Sequence, residues 1–122
     1  MSENWGPQFI VPTDVIKIYS GRMLLRETYN RELLRKELEA LGIPGNPIEA
    51  VNPWFYRKKG ELTWIKIGES SAETNDFAVP WNTTNLENGE YEILGFMSVR
   101  LKTENDEIVV SRQNIVNVVV EN

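Results

Sequence analysis

The sequence predicts a mainly β chain, an antiparallel β-sandwich carrying one N-terminal amphipathic helix packed on or beside it. Three observations lead there. The segment Phe77 to Leu101, FAVPWNTTNLENGEYEILGFMSVRL, reads as strand, polar turn, strand, with Tyr91 placed just after the turn pair Asn88-Gly89. Short apolar runs separated by Gly, Pro, Asn and Asp recur along most of the chain, the punctuation of a sandwich or barrel. One stretch, Thr28 to Leu41, departs from this and is rich in Leu, Glu, Arg and Lys.

Taken in order, Gln8 to Val11 and Val15 to Tyr19 read as short strands broken at Pro12-Thr13-Asp14. A helix is expected over about 30–41. Leu34, Leu38 and Leu41 recur at spacings of four and three, Asn30 suits an N-cap, and Gly42 followed by Pro44 stops the helix. Ile48 to Tyr56 is expected as a strand bent near Asn52-Pro53, and Lys58-Lys59-Gly60 as a turn. Leu62 to Ile67 alternates in the manner of a strand, and Gly68 to Asn75 is a polar loop. Phe77 to Trp81, Tyr91 to Leu101, Glu107 to Val110 and Ile115 to Val120 complete the set. Residues 1–47 form a strand and helix element and residues 48–122 the sandwich, together one compact domain of ordinary size.

Bulk composition excludes more than it assigns. The 41% hydrophobic and 25% charged fractions are those of a globular protein. With a net charge of −5 and Arg57-Lys58-Lys59 as the one short basic cluster, no nucleic-acid partner is expected. No apolar run approaches a membrane span, so no membrane partner is expected. The first residues lack a basic region followed by an apolar core, so no secretory signal is read there; synthesis in the cytoplasm is the expectation and the final compartment stays open. The chain has neither His nor Cys, which removes the commonest general base, nucleophile and soft metal ligands. Zinc is excluded on that ground, no cofactor is expected, and an enzyme is not. Calcium needs oxygen ligands alone, and two acidic loops offer them: Glu73, Asn75 and Asp76, and Glu104 to Glu107. Neither has EF-hand spacing, and each reads as a plain turn.

From about Ile48 to Glu121 the chain resembles bacterial immunoglobulin-like (Ig-like) domains. These often carry Trp-Asp-Thr-Thr-x-Leu-x-Asn-Gly-x-Tyr between two strands. Here the stretch is Trp81-Asn82-Thr83-Thr84-Asn85-Leu86-Glu87-Asn88-Gly89-Glu90-Tyr91, with Asn82 in place of the usual Asp. The resemblance implies an Ig-like fold in which Leu86 plugs the sandwich edge and Tyr91 makes a tyrosine corner. It also implies that Asn82-Thr83-Thr84, formally an N-glycosylation sequon, is a turn. It says nothing of activity. Ig-like domains of this kind occur on phage virions as decoration or tail proteins, so an assembly role is the expectation it carries.

Strand alternation adds a candidate surface. With Tyr91 facing the core, Ile93, Met97, Val99 and Leu101 face it too, leaving Leu94 and Phe96 outside. Choosing Ile65 and Ile67 for the core leaves Leu62 and Trp64 outside, and Ile115 and Val119 oppose Val116, Val118 and Val120. The resemblance makes these strands neighbours, so Leu62, Trp64, Leu94, Phe96, Ile115 and Val119 combine into one apolar strip. Such a strip needs a cover: either the helix with Leu34, Leu38 and Leu41 down, or another protein. A protein partner or self-association into a homo-oligomer is therefore expected. The alternative is carbohydrate binding through Trp54, Phe55 and Tyr56 as a stacking platform, in an adhesion module. A calcium-stabilised spacer is a third reading.

Overall fold

The computed structural model describes residues 8–11 and 18–122. The chain is mainly β. In order, the elements are β1 (Gln8–Val11), β2 (Ile18–Tyr19), β3 (Arg22–Thr28), α1 (Arg31–Leu41), β4 (Asn46–Lys58), β5 (Ile65–Ser70), β6 (Val79–Asn82), β7 (Gly89–Lys102) and β8 (Glu107–Val120), with a 3₁₀ turn at Glu73–Asn75 between β5 and β6. The described strands form a three-stranded sheet in the order β1-β3-β6 and a five-stranded sheet in the order β2-β8-β7-β4-β5. The larger sheet is mixed: β2 runs parallel to β8, while its other pairs are antiparallel.

β7 organises the core. It pairs with β4 along one side and with β8 along the other, the latter without a register break from Gly89↔Val120 to Lys102↔Glu107. Its alternate residues Tyr91, Ile93, Gly95, Met97, Val99 and Leu101 are all buried. Two apolar clusters build on that row. In one, Tyr91 and Ile93 meet Trp54, Val118 and Val120 of their own sheet, Leu25 of β3, and Val79 and Trp81 of β6. In the other, Met97, Val99 and Leu101 meet Leu34 and Leu38 of α1, Ala50 and Phe77. The smaller sheet and the helix thus share one face of the larger sheet. The two sheets approach closely at Gly68 of β5, where an added Cβ would meet a Val79 methyl at 3.0 Å.

The helix forms as its sequence dictates. The Asn30 side chain accepts from the Leu33 amide at 3.1 Å. At the other end Gly42 adopts φ 69°, and the Ile43 amide donates to the Leu38 carbonyl at 2.9 Å. Burying Leu34 and Leu38 contributes about 1.5–3 kcal/mol each.

Several expectations need correction. The helix, expected over about 30–41 as part of an N-terminal element, lies at Arg31–Leu41 mid-chain and connects β3 to β4. It does not lie over the outer strip but completes the core on the opposite face, and Leu41 is left exposed. Arg22–Thr28 is a strand that pairs with β6. β5 begins at Ile65, so Leu62 and Trp64 belong to the preceding loop, and it continues through Gly68 to Ser70. Ile65 is 47% exposed and does not join the core. The two expected C-terminal strands are one strand, β8. Of the expected strand Val15 to Tyr19, Ile18–Tyr19 is β2, and residues 15–17 lie outside the described residues.

Candidate interaction surface

If one row of β7 is buried, the other must face away. That outer row runs Glu92, Leu94, Phe96, Ser98 and Arg100. Register places Phe55 of β4 and Ile115 of β8 on either side of Leu94, with Lys66 of β5 beyond Phe55. The neighbouring row holds Arg57, Glu92 and Asn117. Val119 follows on β8, flanked by Glu90 of β7 and Ile18 of β2. Leu94 is only 8% exposed, because it occupies the middle strand between two large side chains of its own face. Exposure rises toward the β8 edge: Ile115 is 41% accessible, and Ile18 and Val109 are also exposed.

Trp64 reaches the same face from its loop. The Arg57 guanidinium lies over its ring at 4.1 Å, a cation–π contact, and donates through Nε to Glu92 Oε1 at 2.9 Å. Further out, Lys66 pairs with Glu69, Lys59 with Glu90 at 3.8 Å, and Arg100 with Glu49 and Glu107, each at 3.8 Å. Such exposed pairs add little stability. Their consequence is electrostatic: the charges around the strip are matched locally although the chain carries −5. Among the described residues, no sheet or helix lies over this face, since β3, β6 and α1 pack on the other one.

Of the strip expected from the sequence, Leu94, Phe96 and Ile115 lie in adjacent rows, Trp64 reaches the same face from its loop under Arg57, and Val119 lies on that face but is separated from Ile115 by the polar row of Arg57, Glu92 and Asn117. Leu62 does not join them, being 90% exposed in the loop between β4 and β5. Phe55, assigned above to a different surface, belongs in the strip; its alternation with buried Trp54 was the available signal.

The aromatic platform does not assemble. Trp54 is 1% exposed, and its indole Nε1–H donates to the Phe77 carbonyl at 3.2 Å. Tyr56 packs inward, its ring centroid 5.4 Å from that of Trp81 and 6.2 Å from that of Tyr91. Only Phe55 faces out, so these three residues present no shared stacking surface. The acidic loops are likewise occupied by their own bonds. Glu73 pairs with Arg31 at 2.7 Å, and the Thr103 and Asp106 backbones close the β7–β8 hairpin. Among the described residues no group of three or more acidic, His or Cys side chains could hold a metal ion. Among the same residues, no helix is long and apolar enough to cross a membrane.

The segment Trp81 to Tyr91 is held by a local network of polar bonds. The Tyr91 hydroxyl donates to the Glu87 carbonyl at 2.7 Å, and burial raises its pKa. Asn82 Oδ1 accepts from the Thr84 amide at 3.1 Å and from its hydroxyl at 2.7 Å, so the sequon is a closed turn. Thr83 Oγ1 donates to the Gly21 carbonyl at 2.7 Å, and Asn122 Nδ2 donates to the Thr83 and Leu86 carbonyls at 2.5 and 3.2 Å. These bonds tie the β6–β7 connection to both the β2–β3 turn and the C-terminal end.

No protein-family model matches the sequence, and no curated protein matches it significantly.

Proposed function

We propose that this chain is a non-catalytic, Ig-like interaction module that acts through protein–protein contacts on the outer face of its larger sheet, with a second copy of the chain as the occupant. One observation carries the reading. The row Phe55, Leu94, Ile115, with Phe96 and Trp64 beside it, is apolar and has no described layer above it. A solvated face of an antiparallel sheet is ordinarily polar. The locally paired charges favour self-contact, because two chains of net charge −5 meet there without opposing like-charged fields.

The Ig-like assignment draws its support from the Trp81 to Tyr91 sequence, from the hydroxyl bond of Tyr91 to the carbonyl four residues upstream, and from the inward packing of Trp81 and Leu86. The lack of His and Cys supports a non-catalytic role. A component of a larger assembly, such as a virion, is the setting such a module suits.

The test is the solution mass of the wild type and of Phe96→Glu, measured by sedimentation from micromolar to near-millimolar concentration. The reading expects a wild-type dimer or higher species that Phe96→Glu dissociates while its circular dichroism stays unchanged. A wild type that stays monomeric throughout, or a folded Phe96→Glu of identical mass, overturns it.

A further inference from the structure

The inward row of β3 runs Met23, Leu25, Glu27, and Glu27 is completely buried. Across from it, Asn52 of β4 is completely buried as well. Neither belongs to either apolar cluster; they occupy the seam between the half of the core closed by strands and the half closed by the helix. Their polar atoms are poorly served. Both Glu27 carboxyl oxygens and Asn52 Oδ1 lack a hydrogen-bond partner, and Asn52 Nδ2 makes one long contact, 3.4 Å, to the Pro53 carbonyl.

In the turn before β6, Asp76 gives its backbone carbonyl to the Glu27 amide at 3.0 Å, and Glu73 is paired with Arg31. On the β8 side, Arg112 is bonded to Glu37 of α1 at 2.9 Å. On the segment of Glu27 itself Arg26 is the adjacent charged residue, placed on the opposite side of the strand by alternation, Tyr29 lies two residues along, and β7 presents Gly95 and Met97, which carry no charge. An ionised carboxylate in such a place would have the neutral Asn52 amide as a donor and no counter-charge among these neighbours.

We propose that Glu27 is held as a neutral carboxylic acid paired with the Asn52 carboxamide, and that this buried proton makes the stability of the fold fall as pH rises through the neutral range. The donor and acceptor inventory matches only in the neutral form. A protonated carboxyl offers one O–H to Asn52 Oδ1 and one carbonyl oxygen to Asn52 Nδ2, whereas a carboxylate offers no donor and leaves Oδ1 facing negative charge. Such a pair would give partners to the carboxyl and carboxamide oxygens that otherwise have none.

The electrostatics agree. Burial pushes the Glu27 carboxyl up to about 9 from an ordinary 4.5, opposed only in part by Asn52. With the folded value above the unfolded one, unfolding releases a proton between the two. The stabilisation is complete below the ordinary carboxyl range and is lost as pH climbs toward the folded value. Each pH unit in that window shifts the unfolding equilibrium about tenfold toward the unfolded chain. The sequence makes this easy to read: with no His and no Cys, no other side chain of ordinary pKa titrates between the carboxylates and the tyrosines and lysines.

The experiment is chemical denaturation at intervals from pH 6 to 8.5, on the wild type and on Glu27→Gln, which keeps a donor and an acceptor but cannot ionise. The wild type is expected to lose stability steadily across this range, and the Gln variant to be flat and more stable at the alkaline end. A wild type as flat as the variant overturns the proposal. Should Glu27→Gln fail to fold, a ¹³C NMR titration of the wild-type Glu side-chain carboxyls decides: one resonance still neutral at pH 7 supports the proposal, and all resonances ionised by pH 6 contradict it.

Discussion

The two faces of β7 share a backbone and differ in everything else. On the inner face, six alternate residues from Tyr91 to Leu101 are buried under a second sheet and a helix. On the outer face, among the described residues, Leu94 and Phe96 are shielded by neighbours on the same surface and by no opposing layer. The inner row explains why the chain folds. The outer row has no described layer to pack against, so its apolar character calls for another explanation, which the proposed partner surface would supply. The difference teaches that burial alone does not separate core from an outer surface: Leu94 and Trp81 are both buried, yet among the described residues only Trp81 has a layer opposite it.

Mutations should separate the faces, with the largest effect inside. Met97→Ala or Leu101→Ala removes a completely buried side chain beneath the helix and should cost about 2–5 kcal/mol by denaturant titration. Leu94→Ala, on the face open to water, leaves no sealed cavity and should cost roughly 1–2 kcal/mol. A Leu94 cost equal to that of Met97 would erase the distinction. Next comes Tyr91→Phe, which deletes the bond to the Glu87 carbonyl and should cost about 1 kcal/mol without changing solution mass. The smallest effect is expected at Arg57→Ala. Its ion pair with Glu92 is partly exposed, so stability should fall by no more than about 1 kcal/mol. Trp64 fluorescence should nonetheless change as the guanidinium leaves its ring.

How much of this was legible follows the same division. The alternation of β7 was readable because large apolar residues occupy one row without interruption from Ile93 to Leu101 apart from Gly95. The helix bounds were readable because Asn30 and Gly42 are local signals that need no tertiary context. β3 was not readable. Its inward row ends in a Glu, and Leu24 faces outward at 51% exposure, so the apolar period is inverted at both places. β8 looked like two strands because Ser111 to Asn114 is polar. The structure carries the strand through by pairing inward Arg112 with Glu37 of the helix, a contact between residues distant in sequence. For the outer face, alternation within each strand pointed to Leu94, Phe96, Ile115 and Val119, while their adjacency was taken from the family resemblance. Leu62 was misplaced because an alternating pattern continues into a loop that never pairs. The side on which the helix packs was invisible, since Leu34 and Leu38 fit either face and only the chain path chooses between them.

The most direct test of the two-faced sheet uses the absence of native thiols, which lets a single introduced Cys report alone. Ile115→Cys and Val118→Cys place that thiol on opposite faces of β8. Under native conditions at high dilution, Ile115→Cys should react with a maleimide at nearly the rate of the unfolded chain, and Val118→Cys should be protected until the chain unfolds. Raising the protein concentration should slow Ile115→Cys alone as the faces of two chains meet. Protection of Ile115→Cys at every dilution, or equal reactivity at the two sites, would contradict the account.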